Sequence, residues 1–129
     1  MSEKKKFELE FLLNTSPKVL ENMLFTPSGL SEWFADDVNI NDDIYTFFWN
    51  GSEEQARLLT KKMGEKIKWQ NLNDEEEGLD TYFQLHYEID PMTKSVILKV
   101  TDFAEDEEME GTQQLWESLI EGLKRFIGA

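Results

Sequence analysis

The chain has 129 residues, a mass of 15.2 kDa, a formal net charge of −14 and no cysteine. A chain of that size suits one domain, and it buries about two-thirds of its surface on folding, enough for a core without covalent staples. The excess of acid excludes nonspecific nucleic-acid binding, which rests on neutralising phosphates with Lys and Arg. The absence of cysteine excludes disulfides and thiolate metal sites.

No stretch approaches the roughly 20 apolar residues of a membrane span. The opening Met1–Lys6 runs straight into Phe-Glu-Leu-Glu-Phe, an alternation unlike a signal-peptide core. A soluble cytoplasmic protein is the expectation, with residues 1–129 forming a single domain. The charge is uneven along it. Between Leu72 and Glu110 thirteen acids face two bases, Lys94 and Lys99, a local balance of −11. Arg57, Lys61, Lys62, Lys66 and Lys68 cluster with only Glu65 among them. That cluster reads either as a solvated sheet face or as a basic surface for an acidic partner.

In chain order, Phe7, Leu9, Phe11 and Leu13 alternate with Glu8 and Glu10, which predicts a half-buried first strand. Ser16-Pro17 and Thr26-Pro27 each pair a capping side chain with proline at the first helical position. They open two short helices, the first through Val19, Leu20, Met23 and Leu24, the second carrying Leu30, Trp33 and Phe34. From residue 43 the period becomes two. Tyr45, Phe47 and Trp49 share a face, and Asn50-Gly51 predicts a tight hairpin turn. The return strand carries Ala56, Leu58 and Thr60, and Ile67 and Trp69 follow after a turn near Met63-Gly64. A loop is expected over 71–78, then Phe83, Leu85 and Tyr87 opposite Tyr82, Gln84 and His86. After Asp90-Pro91 come Val96, Leu98 and Val100. The last segment places Leu115, Trp116, Leu119, Ile120, Leu123, Phe126 and Ile127 at helical spacing, with Lys124-Arg125 near the negative end of the dipole. The pattern predicts an α+β domain in which a curved antiparallel sheet, wet on one face, wraps a long C-terminal helix.

Three segments carry a resemblance. Phe11–Leu20 is similar to a strand ending in a small-residue–Pro helix start. Thr26–Phe34 resembles a short helix ending in Trp-Phe, and Gly111–Leu123 a closing helix with Trp in its first turns. Together they resemble the START-like (SRPBCC) superfamily, most of all its branch of heat-shock chaperone ATPase activators. The resemblance implies a helix-grip fold, with ligand carriers, receptors, cyclases and co-chaperones among its members. Asp42-Asp43-Ile44-Tyr45 stands where many of those relatives open a strand with glycine, which argues against a large cavity.

The candidate ligand site lies between sheet and helix. Its expected walls are Trp33 and Phe34 from the second helix, Tyr45, Phe47, Trp49 and Trp69 from the first strands of the run, Phe83, Leu85 and Leu98 from the last two, and Trp116 and Ile120 from the closing helix. Tyr45 or Thr60 is expected to orient a ligand's polar end. Aromatic, concave, mostly apolar walls are what small-molecule sites use; the same side chains can also simply meet and fill the space. Asp37–Asn41 begins like a calcium loop, but Asp42 replaces its glycine and Phe48 its final glutamate, so the match fails. His86 falls on the wet face, away from any nucleophile, and no nucleophile elbow or phosphate loop occurs. The expectation is a non-catalytic domain, without metal or cofactor, for a small hydrophobic or amphipathic ligand. A protein-interaction module is the alternative, and a cyclase-like enzyme a remote third.

Overall fold

The computed structural model describes residues 3–129. Strand β1 (Lys4–Leu13) buries Phe7 and Leu13 and leaves Lys6, Glu8 and Glu10 to water. Ser16 then caps α1 (Pro17–Phe25), its hydroxyl accepting from the Val19 N–H at 3.3 Å. Thr26 joins α1 to α2 (Pro27–Trp33): its Oγ1 accepts from the Gly29 N–H at 2.9 Å and donates to the Asn22 carbonyl at 2.7 Å. The corner is tight because Gly29 has no side chain. A Cβ there would lie 1.7 Å from the Asn22 carbonyl oxygen.

The failed calcium-loop stretch is a strand, β2 (Asp37–Asn41), which turns through Asp42 at φ 58° into β3 (Ile44–Trp49). Asn50 and Gly51, at φ 39° and 89°, then form the two-residue hairpin into β4 (Ser52–Lys62). A left-handed turn matches the natural twist of the strands it joins. After β5 (Lys66–Asn71) the expected loop contains one short helix, α3 (Leu72–Glu76), capped by the Asn71 side chain on the Asn73 N–H. β6 (Phe83–Ile89), β7 (Val96–Glu105), a 3₁₀ turn and α4 (Met109–Ile127) complete the chain. Gly128, left-handed at φ 74°, ends α4 by donating its N–H to the Lys124 carbonyl.

All seven strands form one antiparallel sheet in the order β1-β7-β6-β5-β4-β3-β2, curved around the C-terminal helix in the expected α+β helix-grip arrangement. Its inner face carries Tyr45, Phe47, Ala56, Ile67, Trp69, Leu85, Tyr87, Val96, Leu98 and Val100, all buried. α4 closes that face with Trp116, Ile120 and Leu123. Its stripe is narrower than the sequence suggests: Leu115 and Phe126 are 59% and 53% exposed, since only an arc about 100° wide meets the sheet. α1 is fastened from above by the Tyr87 hydroxyl, which donates to Glu21 at 2.8 Å. Burial first, and the Glu21 carboxylate second, push that phenol up to about 12.

One expected site residue faces the other way. The register slips between Leu58 and Thr60, so Leu58 opposes buried Trp69 whereas Thr60 opposes Lys68 on the wet face. The extra residue of a β-bulge shifts the alternation by one, and every side chain beyond it changes face. Thr60 is therefore not positioned to orient anything between sheet and helix. His86, opposite Lys66 and Lys99, lies on the wet face as expected.

Candidate functional site

Phe34, at the end of α2, is the hub of the inner face. Its ring lies edge-on to Phe47 at 5.0 Å and Trp49 at 5.5 Å, and stacks near Trp69, Phe83 and Trp116 at 6.4, 6.2 and 5.6 Å. Trp69 and Phe83 stack at 5.2 Å, and Tyr45 meets Trp69 edge-on at 5.6 Å. Edge-to-face and offset geometries are those the ring quadrupole favours. Trp33 touches the cluster through Phe34 at 5.5 Å. Leu85, Leu98 and Ile120 are buried in the same core and line none of the hollows described below.

Three of the four indoles are fixed because their N–H groups are tied. Trp33 Nε1 donates to the Met23 carbonyl at 2.9 Å, Trp49 Nε1 to the Phe34 carbonyl at 2.6 Å and Trp116 Nε1 to the Asp102 carboxylate at 2.8 Å. The indole of Trp69 differs: fully buried, its N–H has no partner. An unpaired donor in such a setting costs about 1–3 kcal/mol.

The rings fill most of the space between sheet and helix. What remains is a cleft of about 120 Å³ at the N-terminal end of α4, walled by Phe34, Trp49, Phe83, Trp116 and Leu119 and edged by Glu54, Asp102 and Thr112. It shares Glu54, Phe83 and Asp102 with a neighbouring hollow of about 410 Å³ whose other walls include Lys4, Asn71, Asp74 and Thr81. They meet at those three side chains, one mainly aromatic and one polar. Lys4 is held there by Asp74 at 2.8 Å, and Thr81 also donates to that carboxylate. Burial disfavours the Lys4 charge, but the Asp74 hydrogen bond and charge outweigh it and raise its pKa. A larger trough of about 790 Å³, lined by residues that include Glu77, Leu79, Asp80 and Glu105, touches no ring of the cluster; the one ring on its wall, Phe103, packs against Tyr82.

Asp102 edges both the aromatic cleft and the polar hollow and is not among the side chains expected from the sequence. Continuing the alternation Val96, Leu98, Val100 by one step puts it inward, so the signal was a charge at an apolar position. Its two oxygens accept from Trp116 Nε1 at 2.8 Å and the Phe103 N–H at 2.7 Å. Burial raises its pKa, and those two hydrogen bonds offset part of the effect. Glu54 is reached in the same way, since it opposes Phe47 and shares the inward face of Ala56. Among the described residues no group of three or more His, Cys, Asp or Glu side chains is placed to hold a metal ion, and no helix is long and apolar enough to cross a membrane.

The fold recurs in solved structures. BfR322 from Bacteroides fragilis is 32% identical, with 98% of this chain and 92% of that one covered, at a TM-score of 0.66. The Aha1 dimer from Colwellia psychrerythraea superposes with a TM-score of 0.80 at 18% identity, over 95% of this chain and 96% of that one. ChR145 from Cytophaga hutchinsonii gives 0.73 at 15% identity, over 99% and 97%. No curated protein sequence matches the chain. A family model described as the START-like superfamily domain matches residues 1–129 throughout. With that match over its whole length, and the Aha1 structure among its neighbours, the chain belongs to the START-like superfamily, whose fold is that of a ligand-binding or interaction domain.

Proposed function

We propose that this domain binds a small apolar or amphipathic molecule at the mouth between the sheet and α4, and does no chemistry on it. The observation that carries the reading is the aromatic cleft of about 120 Å³ that shares Glu54, Phe83 and Asp102 with a polar hollow. An apolar cavity of about 150 Å³ holds benzene; the cleft is smaller, so it suits a short chain or part of a ring, with the rest of the ligand outside it. Phe34, Trp49, Phe83 and Trp116 contact the apolar part; Trp33, Tyr45, Phe47 and Trp69 stand behind them as a rigid wall. The polar end of the ligand meets Asp102 rather than Tyr45 or Thr60.

Titration of intrinsic Trp fluorescence with small aromatic and alkyl compounds tests this, because Trp49 and Trp116 line the cleft. A saturable change is expected, and Leu119→Trp, which fills the cleft, should abolish it while leaving the circular dichroism of the fold intact. If no compound perturbs the wild type and freshly purified protein carries no adduct in native mass spectrometry, the proposal fails.

A second reading is a protein-interaction module like the chaperone ATPase activators. It rests on the 0.80 superposition with the Aha1 dimer and on the basic run of Lys62, Lys66 and Lys68 in an otherwise acidic chain. Adding the domain to a heat-shock chaperone should then raise its ATPase rate, more at low salt than at high. An unchanged rate at both salts removes this reading.

A further inference from the structure

Asp102 anchors the Trp116 indole, but a neutral amide oxygen would accept that N–H as well, so the hydrogen bond does not call for a charge. The neighbours of Asp102 on the inner face of β7, Val100 and Ala104, are buried and apolar, and α4 covers it through Trp116. Placing an ionised group there is costly unless an opposite charge answers it. Among the described residues no side chain forms an ion pair with Asp102: it accepts only from the neutral Trp116 and Phe103 N–H groups, the Lys4 charge favours its ionised form from further off, and Glu54, exposed at the rim, has no ion-pair partner. The base nearest in the adjoining hollow, Lys4, is already held by Asp74.

We propose that the ligand of this cleft is a cationic amine, its ammonium held between Asp102 and Glu54 and its apolar part enclosed by Phe34, Trp49, Phe83 and Trp116. This rests on the small-molecule reading above and narrows it to one chemical class. Two neutral hydrogen bonds leave Asp102 further lone pairs for an N–H donor. Four aromatic side chains surround the same space, and the faces of Trp and Phe rings attract a cation through their quadrupole. The combination of rings and carboxylates recognises amines and rejects acids. An anionic ligand would meet two like charges at the cleft edge in a chain whose net charge is −14. A neutral ligand would leave Asp102 without an ion-pair partner.

The probes are 2-phenylethylammonium and its neutral counterpart 2-phenylethanol, titrated calorimetrically at low salt into wild type, Asp102→Asn and Glu54→Gln. The ammonium should bind about tenfold or more tightly than the alcohol, the scale of one desolvated cation–π or charge contact. Each variant should shrink that ratio toward one with little change for the alcohol. Glu54→Gln alters an exposed side chain and so keeps the comparison valid if Asp102→Asn disturbs the Trp116 contact. Equal binding of both probes to the wild type, or a ratio untouched by both variants, overturns the amine proposal and leaves the small-molecule reading standing. Binding of neither probe overturns the amine proposal, and the small-molecule reading falls with it when the fluorescence titration and native mass spectrometry are silent too.

Discussion

Gly29 shows how a single missing Cβ sets the angle between two helices. The atom an alanine would add falls 1.7 Å from the Asn22 carbonyl oxygen and 2.8 Å from the Met23 Cα, both backbone, so neither can swing aside. Gly29→Ala should therefore lower stability by about 3 kcal/mol, measured by urea unfolding, because α1 and α2 must separate to accept it. Asp102 is a group whose charged form the fold disfavours, because burial outweighs its hydrogen bonds from Trp116 and Phe103. With its pKa raised above 3.8, the folded protein binds this proton more tightly than the unfolded chain does. Its contribution is thus complete at low pH and is lost as pH rises through 3.8 toward the raised folded value. The stability difference between Asp102→Asn and wild type should move in favour of the variant across that window. A difference that is flat with pH would show that Asp102 titrates alike in both states.

At the scale of elements, the sheet is unevenly held. β7 is paired along its length with β1 and along six positions with β6, whereas β2 has a neighbour on one side only and spans five residues. Local opening follows such differences. In hydrogen exchange the amides of Leu98 and Val100 should be among the slowest and those of β2 among the fastest of the strands. The bulge in β4 matters for the same reason that it misled the sequence reading. Ala56, Leu58 and Thr60 alternate on paper, yet one unpaired residue sends Thr60 to the outside. Likewise, β2 was hidden because Asp and Asn occupy its outward positions and only Val38 is buried, too little for the alternation to register.

The whole molecule carries a net charge of −14 and gains stability when that self-repulsion is screened. Raising the ionic strength from about 10 mM to about 150 mM shortens the Debye length from roughly 30 Å to roughly 8 Å, within the width of the domain. The melting temperature should rise by a few degrees over that range in sodium chloride; a fall would mean that attractive pairs such as Lys4–Asp74 and Arg57–Glu75 outweigh the general repulsion.

Much of this architecture was legible in the residue order. The side-chain period of a strand or a helix is a local property, so Phe7–Leu13, Tyr45–Trp49 and Val96–Val100 announce strands. Ser16-Pro17 and Thr26-Pro27 announce helix starts for the same reason, and Asn50-Gly51 a left-handed turn. Even the inward stripe of α4 could be read, though not its width. How much room the rings leave was a matter for the tertiary structure alone, because packing depends on atoms brought together from α2, five strands and α4. Only the folded chain placed Asp102 and Glu54 beside one aromatic cleft, left both outside its ion pairs, and turned Thr60 away through a bulge. Those are facts of position between segments far apart in sequence, and no local pattern encodes them.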